Sequence, residues 1–477
     1  MSLLTCEALT VSYPGGGTPV RGASFAVAPG ECFALVGCSG SGKSTIARAL
    51  LGLHGAETRL CGGLRLGGRD LLTLDAAGWR QLRGREIGYV GQNPWSACDP
   101  LRPVRDHVDS AWRAHGLSPP PGAAEARLTA LGIPEAAARL PLAPHAWSGG
   151  MLQRASIAAA HALAPRLVVA DEPTSALDAD RAEAVLAALK GQGAVLLISH
   201  DIALVMRMAD RIGILHEGRI VETGTPEELR RAPAHDETRR LLGAAAPLPK
   251  GAAPGRPPLL FRGEGLARDY AGAPALPETD LQIGAGEIVG IKGPSGCGKS
   301  TLLRLVMGLE PPTRGRIERA PALQRPAAIM PVFQDPVSSL VPHWPIWRSV
   351  AEPLVAGHRA RTSRRARRAA ALAALAEVGL GEIDPEARPG ELSVGQCQRC
   401  SLSRALVAEP ALIVADEPSS ALDSLATAGV ARLLRQAADR GTAVLLVSHD
   451  GAFLERLADR IVALGGEGGA GLGGAGR

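Results

Sequence analysis

Gly37-Cys-Ser-Gly-Ser-Gly-Lys-Ser-Thr45 follows the apolar run Cys32-Phe-Ala-Leu-Val36 and opens a stretch of helical composition. The spacing G-x-x-x-x-G-K-[ST] between a strand and a helix is that of a phosphate-binding loop. Gly37, Gly40 and Gly42 let backbone N–H groups close on phosphate oxygens, and the N-terminus of the following helix favours an anion. Lys43 is placed to reach the β- and γ-phosphates of a nucleotide. Ser39 lies in the loop and Thr45 just beyond it, while the Ser44 hydroxyl is placed to bind Mg²⁺.

The same stretch recurs as Gly293-Pro-Ser-Gly-Cys-Gly-Lys-Ser-Thr301, which repeats the roles in Gly293, Ser295, Gly296, Gly298, Lys299, Ser300 and Thr301. Leu167-Val-Val-Ala-Asp-Glu-Pro173 returns as Leu412-Ile-Val-Ala-Asp-Glu-Pro418, and Leu196-Leu-Ile-Ser-His-Asp201 as Leu445-Leu-Val-Ser-His-Asp450. The offsets are 256, 245 and 249 residues, measured at Lys43, Asp171 and His200. Fixed order at a nearly constant offset marks a duplicated domain, and the unit is far too long for a solenoid. Residues 1–242 and 259–464 are expected to be the two copies. The stretch 243–258 is rich in Pro, Gly and Ala and reads as a linker. The Gly-rich tail 465–477 reads as flexible.

The 477 residues suit two or three domains. A hydrophobic share of 46% with 21% charged residues is that of folded protein, and a net charge of +5 gives no argument for nucleic acid. No apolar run of about 18 residues is present, so a bilayer-spanning helix is not expected, and the N-terminus lacks a secretory pattern. Eight scattered cysteines fit reduced thiols in the cytoplasm, and Cys397 and Cys400 read as two small residues on one helix face. Only five of the 52 basic residues are lysine, yet two of those five sit at the phosphate-loop position, where a compact ammonium is needed.

Short apolar runs such as Leu167-Val-Val-Ala170 and Ala194-Val-Leu-Leu-Ile198 read as buried parallel strands, so each half is expected to be α/β with its chemistry at the strand C-terminal ends. Asp171 and Asp416 end such strands and are placed to hold Mg²⁺. Glu172 and Glu417 follow, where a carboxylate orients or deprotonates the attacking water. His200 and His449 follow another buried strand and suggest a γ-phosphate contact. Gln92 and Gln334 carry amides that suit Mg²⁺ or the water. Tyr13 and Tyr270 precede the loops by 24 and 23 residues and favour stacking on adenine.

With Trp147-Ser-Gly-Gly-Met151 and Leu392-Ser-Val-Gly-Gln396 ahead of the second strand, and Ser175-Ala-Leu-Asp178 and Ser420-Ala-Leu-Asp423 after it, nearly the whole chain resembles the ABC ATPases. The resemblance implies two tandem P-loop NTPase domains, each with a RecA-like α/β core, a helical subdomain and an N-terminal antiparallel β subdomain. It implies ATP and Mg²⁺ as ligands and pairing of the two cassettes within the chain. Ser393, Gly395 and Gln396 would complete the site on Lys43, and Ser148, Gly149 and Gly150 the site on Lys299, with Asp178 and Asp423 alongside. Val394 replaces the first signature glycine, and Trp147 and Met151 depart in the other half, so two competent but unequal sites are expected.

The loops Gln92-Asn-Pro-Trp-Ser-Ala-Cys-Asp-Pro100 and Gln334-Asp-Pro-Val-Ser-Ser-Leu-Val-Pro342 look like those of peptide, opine and nickel importer ATPases. No Cys-rich extension is visible after either half, and Ala234 to Ala246 has no Cys, which tilts the cargo toward nickel or a metallophore. The resemblance implies two transmembrane permease subunits, an extracytoplasmic solute-binding protein and a peripheral place on the cytoplasmic membrane face. Trp95, Trp344 and Trp347 follow the Gln loops and serve either permease docking or the small subdomain's core. The six arginines of Arg359 to Arg368 read as a solvated helix face. The competing expectations are another importer cargo, such as sugar, and a soluble tandem ATPase acting on ribosomes. The latter typically has a charged interdomain helix and an Asn-His-Leu-Asp motif, which this chain lacks.

Overall fold

A computed structural model describes residues 2–174, 179–190, 193–246, 248, 257–294, 296–356, 362–419, 422, 424–448 and 450–465. The chain divides into two compact units, Met1–Ala245 and Ala246–Arg477. The helix Asp236–Ala245 runs three residues into the stretch read as linker, whose residues 247 and 249–256 lie outside the described ones, as does the tail from 466.

The first unit is built on a six-stranded sheet in which Cys32–Val36 lies between Ala194–Ser199 and Arg211–His216. Leu167–Asp171 pairs parallel with Ala194–Ser199 on one side and with Ile87–Val90 on the other, and only the edge strand Arg219–Gly224 is antiparallel. Every residue of Cys32–Val36, Leu167–Asp171 and Ala194–Ser199 is buried. Strands covered on both faces need unbroken apolar runs, which is why they were readable as strands. A four-stranded antiparallel sheet led by Leu4–Ser12 and Val20–Val27 lies over the phosphate-loop helix Lys43–Leu50. The two sheets share one core, in which Leu4, Leu9, Phe33, Leu35, Ile46, Leu50 and Leu64 are fully buried. Side chains of this size contribute about 1.5–3 kcal/mol each when fully buried.

The second unit repeats the plan. Its parallel sheet has five strands, with Ile288–Lys292 between Ala443–Val447 and Arg460–Ala463, and its antiparallel sheet has three. Phe261, Ile283, Ile291, Leu302 and Leu305 join the two sheets in one core. In both units a separate helical cluster follows the Gln loop. Val104, Leu128, Trp147 and Leu152 close it in the first, and Ile346, Trp347, Leu375, Cys397 and Cys400 in the second. Cys397 and Cys400 are thus core residues on one helix face. No group of His, Cys, Asp and Glu suited to a metal ion occurs among the described residues. No described helix is long and apolar enough to cross a membrane.

Candidate functional site

The phosphate loop in each unit joins the central parallel strand to a helix that starts at the motif lysine. Gly42 and Gly298 turn the chain at φ 107 and 98, and a Cβ at either would lie 2.4 Å from the Pro19 or Ala275 carbonyl oxygen. A Cβ at Gly37 would lie 2.1 Å from the Leu215 oxygen on the next strand. Glycine is required here by close approach as well as by backbone angle. Lys43 is 7% exposed, and its Nζ donates to the Gly37 carbonyl at 2.7 Å and the Cys38 carbonyl at 2.9 Å. Lys299 donates to Gly293 and Pro294 at the same distances. The ammonium therefore sits inside the curl of its own loop.

At the neighbouring strand ends, Ser44 Oγ lies 3.4 Å from Asp171 Oδ1, and Ser300 Oγ lies 3.4 Å from Asp416 Oδ2. Burial raises the Asp171 carboxyl; the Ser44 hydroxyl draws it back, and the Glu172 charge adds to the rise. Glu172 and Glu417 adopt left-handed backbone at φ 50 and 49. Non-glycine residues held there carry strain of about 1–3 kcal/mol, a cost tolerated mainly at functional positions. Their amides donate to the Ile198 and Val447 carbonyls at 2.8 and 2.9 Å, so the sheet itself imposes the turn.

The turn points each carboxylate at its Gln loop. Gln92 Nε2 donates to Glu172 Oε2 at 2.7 Å, and Gln334 Nε2 to Glu417 Oε2 at 3.0 Å. His200 Nδ1 lies 2.9 Å from Glu172 Oε1. Burial pushes Glu172 up, but the hydrogen bond and charge of His200, with Lys43 and Gln92, hold it below the usual carboxylate range. Glu172 in turn raises His200 against its burial. The two directions agree: the contact favours imidazolium facing carboxylate. The sequence places His200 for a γ-phosphate contact; here its Nδ1 meets the Glu172 carboxylate. Asp178, Ser295, Asp423 and His449 lie outside the described residues.

Tyr13 Oη comes within 3.4 Å of Thr45 Oγ1 on the phosphate-loop helix. Tyr270 is 38% exposed, lies under the Arg268 guanidinium at 5.0 Å and donates to Glu310. Ser148 and Ser393 cap the helices Gly149–Ala160 and Val394–Val407. Ser393 Oγ accepts from the Gln396 amide at 3.3 Å and Gln396 Oε1 from the Ser393 amide at 2.8 Å, a reciprocal cap. Met151 occupies the matching position in the first unit and has no such acceptor. Val394 is 46% exposed on the first turn, while a Cβ at its counterpart Gly149 would meet only Trp95 Nε1, at 3.6 Å. The valine thus fits its own unit, and any effect on closeness is felt by what approaches from outside.

Of the tryptophans, Trp347 is 5% exposed and belongs to the helical core, with Arg364 and Arg368 stacked over it. Trp344 is half-buried under Arg348, and Trp95 is 47% exposed. Two buried glutamines, in the Gln-Arg that follows each signature, fall outside the expected site residues. Gln153 Nε2 donates to Gly91 at 3.3 Å and so ties the signature helix to the Gln92 loop. Gln398 is its counterpart. Their recurrence within Gln-Arg after each signature was the available signal.

The model of the ABC transporter family matches residues 20–175 and 276–420. The chain is 35% identical to the peptidoglycan transport ATP-binding protein YejF of Agrobacterium fabrum, across 97% of this chain and 91% of that protein. It is 32% identical to the oligopeptide transport ATP-binding protein OppD of Mycobacterium tuberculosis, across 97% and 93%. It is 34% identical to the glutathione import ATP-binding protein GsiA of Escherichia coli O157:H7, across 93% and 81%. Among solved structures, an archaeal ribosome recycling factor in complex with a ribosomal stalk protein aligns over 96% of this chain and 88% of that one. Its TM-score is 0.69 at 21% identity, which establishes the fold alone. The chain belongs to the ABC transporter ATP-binding family, as an ATPase coupled to import with two cassettes in one polypeptide.

Proposed function

We propose that this chain drives uptake of short peptides or peptide-containing solutes, working at the cytoplasmic membrane face with two permease subunits and an extracytoplasmic binding protein. The cargo class rests on the three relatives, whose names share peptide chemistry while differing in size. Nickel and opine cargo find no such support among them. Units near 1–242 and 259–464 act as the paired cassettes.

The observation that carries the catalytic part is the Gln92–Glu172–His200 constellation, repeated as Gln334–Glu417 beside the second loop. Lys43 and Lys299 neutralise phosphate charge. The hard oxygens of Ser44, Asp171 and Gln92, and of Ser300, Asp416 and Gln334, would hold Mg²⁺, which when bound would neutralise phosphate charge. Gln92 and His200 fix the Glu172 carboxylate as an anion and an acceptor. A carboxyl held low is a weak base, so Glu172 acts first by orienting the attacking water. Ser148 and Ser393 are exposed at helix N-termini, which suits completing a site from outside their own units.

The test is uptake of radiolabelled di- and tripeptides, glutathione and ⁶³Ni²⁺ by a deletion strain and its complemented parent. Loss confined to the peptides supports the proposal. Intact peptide uptake with loss of nickel would overturn the cargo assignment.

A further inference from the structure

Beside the first phosphate loop lies a buried acidic group that the hydrolysis chemistry leaves unused. Glu237, on the helix Asp236–Ala245 that closes the first unit, is 2% exposed. Its Oε1 accepts from the Cys38 thiol of the phosphate loop at 3.0 Å. Its Oε2 accepts from Arg240 Nη1 at 2.9 Å and lies 3.7 Å from His216 Nδ1. The helix is itself anchored. Glu222 Oε1 accepts from the Ala234 amide at 2.8 Å, and its Oε2 accepts from the His235 amide at 2.9 Å and from the Thr238 hydroxyl. The backbone carbonyl of Cys38 accepts from Lys43. A continuous run of contacts therefore leads from the strand Arg219–Gly224, through the terminal helix, to the loop residue that holds the motif lysine.

We propose that Glu237 is a positioning residue for the first ATP site, setting the phosphate loop through the Cys38 thiol. A buried carboxylate that receives a hydrogen bond, a guanidinium and a neighbouring imidazole is held in one orientation. The loop residue bonded to it loses freedom before nucleotide arrives, so less ordering is required on binding. The device belongs to one site only. Pro294 stands where Cys38 does in the second loop and has no side-chain donor. The two sites then differ in their own loops, independently of Val394.

The inference rests on Lys43 being part of an ATP site, and the experiment separates the two. Steady-state ATP hydrolysis and melting temperature are measured on the full chain carrying Cys38→Ala, Cys38→Ser, Glu237→Ala, Cys38→Ala with Glu237→Ala, or Lys43→Ala. Cys38→Ala and Glu237→Ala are each expected to raise KM for ATP about three- to tenfold, the size of one hydrogen bond, with kcat within about twofold. The double variant should match the worse single one, because both remove the same contact. Cys38→Ser keeps a donor and should restore KM. Cys38→Ala with wild-type KM, additive losses in the double variant, or a lowered melting temperature with unchanged KM would each overturn the proposal while Lys43→Ala remains about 100-fold impaired. Near-wild-type turnover of Lys43→Ala would instead overturn the site beneath it.

Discussion

At the scale of the residue, the site is defined by charges held in fixed places. Lys43→Ala or Lys299→Ala removes the cation in the loop, and phosphate release from ATP is expected to fall about 100-fold or more. Near-wild-type turnover in both would contradict the mechanism. The Glu172–His200 contact makes a second prediction. His200 lies above its usual 6.5 and Glu172 below its usual 4.5. The histidine's share of stability is complete below 6.5 and fades as pH rises through its raised value. The glutamate's share is complete above 4.5 and fades as pH falls through its depressed value. The contact is thus worth most between those limits. His200→Gln should lower the melting temperature near pH 6, with a gap that narrows by pH 9. The effect is about 1 kcal/mol or less, since the His200 side chain is 34% exposed and screened. A gap that widened with pH would mean that the neutral imidazole is the form favoured.

At the scale of the element, the loop and the signature helices carry different constraints. The φ of 107 at Gly42 and the Pro19 carbonyl both exclude a Cβ. Gly42→Ala is expected to abolish ATP binding in the first unit and to cost about 1–3 kcal/mol, read by calorimetry and chemical denaturation. An alanine variant with normal affinity would show that the loop shifts at little cost. The signature helices differ in their caps. Without nucleotide, Ser393→Ala breaks a reciprocal cap and should cost about 1 kcal/mol, whereas Ser148→Ala should cost less because Met151 contributes no return bond. Equal losses in denaturant titrations would remove that distinction.

At the scale of the whole molecule, the proposed pairing predicts which defects combine. If Ser393 completes the Lys43 site, Lys43→Ala with Ser393→Ala should be no worse than Lys43→Ala alone. Lys43→Ala with Ser148→Ala should strike both sites and lower turnover further. The opposite ranking in ATPase assays would show that each cassette uses its own signature. The ribosome-directed alternative has a fold neighbour here, yet that likeness shows only that two cassettes share an architecture. The transport relatives match in sequence across nearly the whole chain.

The duplication, the parallel strands and the lysine, serine and carboxylate positions were legible in the sequence by itself. Their chemistry depends on short spacings and on apolar runs that a buried parallel strand must have. Gln92 and Glu172, 80 residues apart, were each legible but not as hydrogen-bonded partners. Only the tertiary structure decided that, because the left-handed turn at Glu172 is set by the Ile198 carbonyl on a neighbouring strand. The same holds for the contact of His200 with the Glu172 carboxylate, and for Trp347, which the helical core covers. It holds most of all for Glu237. Nothing in the sequence singles it out, and only folding buries it against Cys38, 199 residues away, where it is proposed to support the phosphate loop. Sequence spacing specifies what a loop can bind; how stiffly the loop is held depends on groups that only folding brings to it.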